Sequence, residues 1–247
     1  MSGPAGTGKT TVAHTIAHEY DNRERLAATF FFWRKTGDRD DIRKLAATLA
    51  QQIAKRIPSA KKRMEETLML NDSSMDPLSN LSLQAQLSKL LVPNLNPTAP
   101  NLVIIDGLDE CSSRDGVCQL IEWIRKNRSP FRFLLTSRPD LDIEVRFTVA
   151  LADGHSDVWT LSLTESEEDV RTYLSKELEG IRSKLMRGES HPSQWPLESD
   201  FKQLVAKSEG LFVYAATAIR YIDGRGSPKK LLENVLRLHK GLDNLGH

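Results

Sequence analysis

Near the start of the chain, Gly3-Pro4-Ala5-Gly6-Thr7-Gly8-Lys9-Thr10 satisfies G-x-x-x-x-G-K-[ST] at every fixed position. Each residue type has a chemical reason to be there. Glycines let successive backbone N–H groups turn inward around phosphate oxygens, where side chains would block the approach. A helix that opens near Lys9 aims its positive end at the same anion. Lys9 has the reach for β and γ phosphates, and the Thr10 hydroxyl suits Mg²⁺, with Thr11 beside it at the end of the loop. The competing reading is a chance Gly-rich turn before a helix.

A second constellation stands about a hundred residues on. Leu102-Val103-Ile104-Ile105-Asp106 is an apolar run ending in a carboxylate, the pattern of a buried strand that delivers an acid where ligands bind in open α/β sheets. Asp106 is then expected to hold the Mg²⁺ shell. Asp109 and Glu110 follow, spaced to orient or deprotonate an attacking water. Read alone, those two acids are equally a solvated loop or the charged start of a helix. Arg138 closes a third apolar run, Phe133-Leu134-Leu135-Thr136-Ser137-Arg138-Pro139, where a guanidinium can sense a γ-phosphate through paired N–H bonds.

Other chemistry is weaker. His14 and His18 are four apart, but HTIAH lacks the glutamate of H-E-x-x-H and no third ligand is evident. They read as helix-surface histidines. Cys111 and Cys118 have no cluster at metal spacing and read as plain thiols, with Cys111, beside the acid loop, open to alkylating reagents.

The elements that position these residues alternate. Residues 9–20 carry an apolar face of Val12, Ala13, Ile16, Ala17 and Tyr20, an amphipathic helix. Residues 27–33 (AATFFFW) read as a buried strand, and Ile42, Leu45, Leu49, Ile53 and Ile57 as the stripe of a second helix ending at Pro58. Helices are expected over 61–70, 81–91 and 117–125, and strands over 101–106, 131–136 and 158–163. The proline-rich stretch 92–100 is a connector. From Thr164, which with Glu167 forms a capping box, the period is helical to the end. The pattern predicts an α/β fold, a parallel sheet flanked by helices over residues 1–163, followed by an all-helical subdomain, a lid, over 164–247. Only Met1 and Ser2 precede the glycine loop, so the strand that usually leads into such a loop is expected to be missing, leaving a gap in the sheet and two exposed edges. About ten natural upstream residues should then raise both nucleotide affinity and melting temperature.

Composition excludes several classes. The 247 residues hold 34 Lys+Arg against 33 Asp+Glu, too balanced for a dedicated nucleic-acid or membrane-surface binder. The first 63 residues are locally basic, 13 Lys+Arg against 6 Asp+Glu, which would draw a polyphosphate toward Lys9 or simply be solvated helix surface. Two cysteines are too few for a disulfide scaffold, and no secretory leader opens the chain, so a cytoplasmic setting is expected. The most apolar segment, 210–219, is only half of the about 20 residues that span a bilayer.

GPAGTGKTT, LVIIDGLDEC and FLLTSRP together resemble the NACHT-type NTPase domains of the STAND class of P-loop NTPases. Among these they are most like fungal versions related to the N-terminal region of nephrocystin-like proteins. FFFWRKTGDRDDIRKLAATLAQQIA (30–54), SEGLFVYAATAIRYI (208–222) and LRLHKGLDNL (236–245) extend the resemblance along essentially the whole chain. It implies a switch that binds Mg-ATP or Mg-GTP, hydrolyses it slowly and self-associates, or associates with full-length relatives, in fungal non-self recognition or cell-death signalling. It carries Gly3, Gly8, Lys9 and Thr10 to phosphate and Mg²⁺, Asp106 to the metal, Asp109 and Glu110 to hydrolysis, and Arg138 to sensing. The adenine-side Gly-x-Pro of related proteins has its counterpart at Gly210-Leu211-Phe212, without the proline. Two other readings remain open: a degenerate module acting by protein–protein interaction without hydrolysis, and a small-molecule P-loop kinase.

Overall fold

The computed structural model describes residues 1–34, 40–70, 81–91, 100–127, 129–152, 159–163, 167–185 and 195–237. The chain divides into two compact units: Met1–Gly3 with Lys9–Leu161, and Pro4–Gly8 with Ser162–His247.

In the first unit, α1 (Lys9–Asn22) leads to β1 (Leu26–Phe31), then α2 (Leu45–Arg56), α3 (Pro58–Leu70) and α4 (Leu83–Leu90). β2 (Leu102–Asp106), α5 (Arg114–Lys126), β3 (Arg132–Leu135) and α6 (Leu141–Ala152) complete it. The strands form a parallel sheet in the order β1-β2-β3, with Phe31 opposite Asp106 and Ile105 opposite Leu135. Strand periodicity divides the apolar side chains of β2 between two cores. Leu102 and Ile104 pack with Ala13, Ile16 and Ala17 of α1, while Val103 and Ile105 join Leu45, Leu49, Leu87 and Leu120 from α2, α4 and α5. All five residues of β2 are buried, as a central strand with helices on both faces requires. That burial carries Asp106 inward at the strand's end.

The sheet edges are managed differently from the sequence expectation. On the outer side of β1, the Gln52 side chain on α2 donates to Thr29 O at 2.8 Å and accepts from Thr29 N–H at 2.9 Å. One side-chain amide thus replaces a ladder partner. Beside β3, Ser2 makes a parallel bridge with Ser137, the Met1 amine donates to Leu135 O at 2.7 Å, and Ser137 N–H donates to Met1 O at 3.1 Å. Burial lowers the pKa of that amine. The residues before the glycine loop therefore run parallel to the end of β3, and both edges are partly satisfied rather than bare.

Two other expectations are corrected. Residues 159–163 give a β-bridge at Ser162 rather than the full strand expected: Ser2 N–H donates to Leu161 O at 2.8 Å, while Trp159 is 89% and Leu161 58% exposed, so their alternation has no core to face. Position 158 lies outside the described residues. Leu141–Ala152, which carries no sequence-based expectation, alternates apolar and polar residues with period two yet forms helix α6. The second helix of the sequence reading is a 3₁₀ turn, Ile42–Lys44, running into α2. The connector 92–99, Thr164 of the capping box and the closing 238–245 lie outside the described residues.

The second unit contains α7 (Glu167–Leu185), α8 (Glu198–Ser208), α9 (Phe212–Ile222) and α10 (Pro228–Arg237). Val170, Leu174, Leu178 and Ile181 make the buried stripe of α7, packed with Leu204, Val205, Ala215, Ile219, Ile222, Leu232 and Val235. Three acidic residues in the first turn of α7, Glu167, Glu168 and Asp169, complement its helix dipole. Within this same unit, Val213 N–H donates to Gly6 O at 3.1 Å. Gly6 has φ +83°, and a Cβ there would lie 2.5 Å from Val213 Cγ1, so both conformation and space demand glycine.

Candidate functional site

Four chain segments of the first unit bring chemistry together: the start of α1, the ends of β1 and β2, and the turn after β3. Thr10, in the first turn of α1, donates its hydroxyl to Asp106 Oδ2 at 2.8 Å. Thr136, just past β3, donates to Asp106 Oδ1 at 2.5 Å, so each carboxylate oxygen has a hydroxyl partner. Asp106 is 4% exposed and Thr136 1%, and such burial is tolerable for a carboxylate only because it is so bonded.

Thr136 does more than hold Asp106. Its hydroxyl accepts from Gly107 N–H at 2.9 Å, its carbonyl accepts from Leu108 N–H at 2.9 Å, and its own N–H donates to Ile105 O at 3.1 Å. β3 thereby dictates how the chain turns away from β2. Gly107 makes that turn at φ +75°, where a Cβ would approach Phe32 O to 3.3 Å. The 3₁₀ turn Leu108–Glu110 follows and presents the two further acids.

Asp109 is gripped by Arg138, whose main-chain N–H donates to Oδ1 at 2.9 Å and whose Nε lies 3.1 Å from Oδ2. Glu110 Oε2 accepts from Arg34 N–H at 3.2 Å, and Arg34 Nη2 donates to Asp109 O at 2.8 Å. Lys9 Nζ donates to Gly3 O at 2.6 Å. Burial pulls the Lys9 ammonium below the ordinary lysine range. Asp109 opposes that shift, Arg138 adds to it, and Asp106 and Glu110 oppose it. Burial outweighs the nearby carboxylates, so the net shift is downward.

Lys9, Thr10, Asp106, Asp109, Glu110 and Arg138 all belong to the first unit, as does Gly3, whose N–H donates to Ser137 O at 3.3 Å. Pro4, Ala5, Gly6, Thr7 and Gly8 group with the second unit, where Thr7 Oγ1 donates to Pro4 O at 3.0 Å. Thr11 is exposed on α1. Sequence reasoning missed Arg34 and Thr136. Thr136 had a signal, a polar residue inside the apolar FLLTSRP run, whereas Arg34 had none, because its partners lie about 75 residues away. His14 is exposed and stacks on Phe31 with ring centroids 4.2 Å apart, and His18 pairs with Asn22, so the two histidines do not converge on a ligand. Among the described residues no group of three or more His, Cys, Asp or Glu is arranged to hold a metal ion by itself. No helix of the described residues is long and apolar enough to cross a membrane.

These features define a mixed α/β protein with a three-stranded parallel sheet flanked by helices and a glycine-rich loop leading into α1. Residues 1–138 match the family described as nephrocystin 3, N-terminal, and the chain belongs to that family. Comparison with curated proteins gave no match.

Proposed function

We propose that this chain is a P-loop NTPase domain of the NACHT/STAND type, binding Mg-ATP or Mg-GTP, hydrolysing it slowly and self-associating according to the nucleotide held. The observation that carries the reading is the meeting of Thr10 and Asp106 at 2.8 Å across 96 residues of sequence. A hydroxyl and a carboxylate are the two protein oxygens that a Mg²⁺ shared with phosphates calls for, since that ion keeps waters and takes few protein ligands. The donor set fits, being hard oxygen throughout. When bound, Mg²⁺ would neutralise charge on the phosphate oxygens.

The chain's own residues divide the remaining work. Gly3, Ala5, Gly6, Thr7, Gly8 and Thr11 supply backbone or hydroxyl donors along the loop, Pro4, which has no N–H to give, fixes the backbone angle between them, and Lys9 supplies the cation. Arg138 supplies a second cation to sense the terminal phosphate, and the acid turn of Asp109 and Glu110 supplies the base for water. The paired acids after Asp106 and the all-helical C-terminal region support hydrolysis over transfer to a small-molecule acceptor.

The test is the melting temperature of the purified chain with Mg-ATP, Mg-GTP or neither, beside Lys9→Ala. Ligand at a hundred times Kd stabilises by about 2.7 kcal/mol, or roughly 5–10 °C for a domain of this size. A rise that Lys9→Ala loses supports the reading, and the better nucleotide names the base. A folded chain that neither nucleotide shifts would overturn it and leave the interaction module. Sedimentation with and without nucleotide tests the self-association.

A further inference from the structure

We infer that Arg34 is a positioning residue for Glu110, clamping the acid turn from the end of β1 so that the Glu110 carboxylate faces the water that attacks the nucleotide. This rests on the hydrolytic reading above and deepens it. The clamp has two points. The guanidinium Nη2 donates at 2.8 Å to Asp109 O, which is the carbonyl of the peptide joining Asp109 to Glu110. The Arg34 main-chain N–H donates at 3.2 Å to Glu110 Oε2. One residue therefore sets both the peptide plane from which Glu110 departs and the direction of its carboxylate.

The clamp is itself anchored. Phe32 N–H donates to Asp106 O at 2.9 Å, so the chain leaving β1 is still tied to the end of β2 two residues before Arg34. The two acids are thereby separated in role. Both carboxylate oxygens of Asp109 are taken by Arg138, which makes Asp109 the anchor of that arginine. Glu110 is held at one oxygen and serves as the base. In the step, a water oxygen bonds to the γ-phosphorus and the bond from that phosphorus to the β–γ bridging oxygen breaks, leaving a nucleoside diphosphate. The water's proton passes to Glu110 and then to the released phosphate.

Nucleotide affinity by fluorescent-nucleotide titration and turnover at saturating Mg-nucleotide separate this role from its alternatives. Arg34→Ala should lower kcat by about 10- to 100-fold, the scale of a misplaced catalytic group. Kd should move by less than about 2-fold, and Arg34→Lys should recover part of the rate. Arg34→Ala combined with Glu110→Gln should be no slower than Glu110→Gln alone, since both act through one carboxylate. An unchanged kcat, or a Kd weakened as far as kcat/KM, would overturn the inference, the latter by making Arg34 a phosphate contact. If the wild type binds nucleotide without turnover, or binds none, the hydrolytic reading fails by itself. The clamp is then read by amide hydrogen exchange over residues 107–111, faster in Arg34→Ala and restored in Arg34→Lys. Unaltered exchange there overturns it.

Discussion

Arg138 occupies both carboxylate oxygens of Asp109, one with its main-chain N–H at 2.9 Å and the other with its guanidinium Nε at 3.1 Å. The two bonds differ in what mutation can remove. Arg138 is 54% exposed, so its ion pair is screened and worth below about 1 kcal/mol. Arg138→Ala deletes only that pair, whereas Asp109→Ala also strands the main-chain N–H. Urea denaturation should show Asp109→Ala costing about 1–2 kcal/mol and Arg138→Ala less than about 1, the latter shrinking further in high salt. Equal costs would contradict the geometry.

Thr136 is the buried hub of the acid loop. Thr136→Val keeps the volume and the β-branch but removes the hydroxyl, leaving Gly107 N–H and Asp106 Oδ1 without the partners described above. Leaving buried polar groups unpaired costs about 2–3 kcal/mol, so the melting temperature should fall by roughly 4–12 °C. Thr136→Ser should recover most of it. A Val variant as stable as the wild type would mean that the hydroxyl is replaceable by water.

The outer edge of β1 is held by two side chains of α2, Gln52 on Thr29 and Arg56, whose Nη1 donates to Leu26 O at 3.2 Å. Gln52→Leu fits the helix but withdraws both amide bonds to Thr29, exposing an edge that can pair with another chain. The variant should lose about 1–3 kcal/mol and gain concentration-dependent light scattering on warming. Gln52→Glu should keep the acceptor toward Thr29 N–H and lose the donor, falling between the two. If Gln52→Leu neither destabilises nor aggregates, the edge is protected by something else.

Burial pushes the Cys111 thiol above its usual range, and Asp40 and Asp41 add to that shift against the Ser113 and Ile42 backbone bonds. A raised pKa means less thiolate at a given pH, and only the thiolate attacks an alkylating reagent. Cys111 is 8% exposed while Cys118 is half-buried, so exposure acts in the same direction. Contrary to the sequence expectation, iodoacetamide at pH 8 should label Cys118 first, and labelling of Cys111 should continue to accelerate as pH rises past 9. Peptide mass mapping over time checks the order; faster labelling of Cys111 at pH 8 would refute it.

Much of this protein is legible one segment at a time. The 3.6-residue stripes of α2 and α7, the apolar run of β2 ending in Asp106, and the eight-residue loop before α1 are local patterns, and local patterns survive in sequence because neighbours along the chain are neighbours in space. The parallel sheet and the helical C-terminal region follow from their order. Where local pattern and environment conflict, pattern alone does not decide: residues 141–152 alternate like a strand and form α6, and residues 159–163 alternate but give a β-bridge at Ser162 in place of a strand. β-Propensity describes fit to a half-buried pleated surface, and only the tertiary fold decides whether that surface exists.

The candidate site divides along the same line. Lys9, Thr10, Asp106, Asp109, Glu110 and Arg138 could be named from residue type and from their places at the ends of elements. The sequence alone determined which groups were available and which strand would carry the acid. It did not determine that Thr136 would bond Asp106 from 30 residues away, that Arg34 would hold the acid turn from 75, or that Gln52 would close the edge of β1. A side-chain hydrogen bond depends on a few tenths of an ångström between groups brought together by packing, and no periodicity in the chain records that distance.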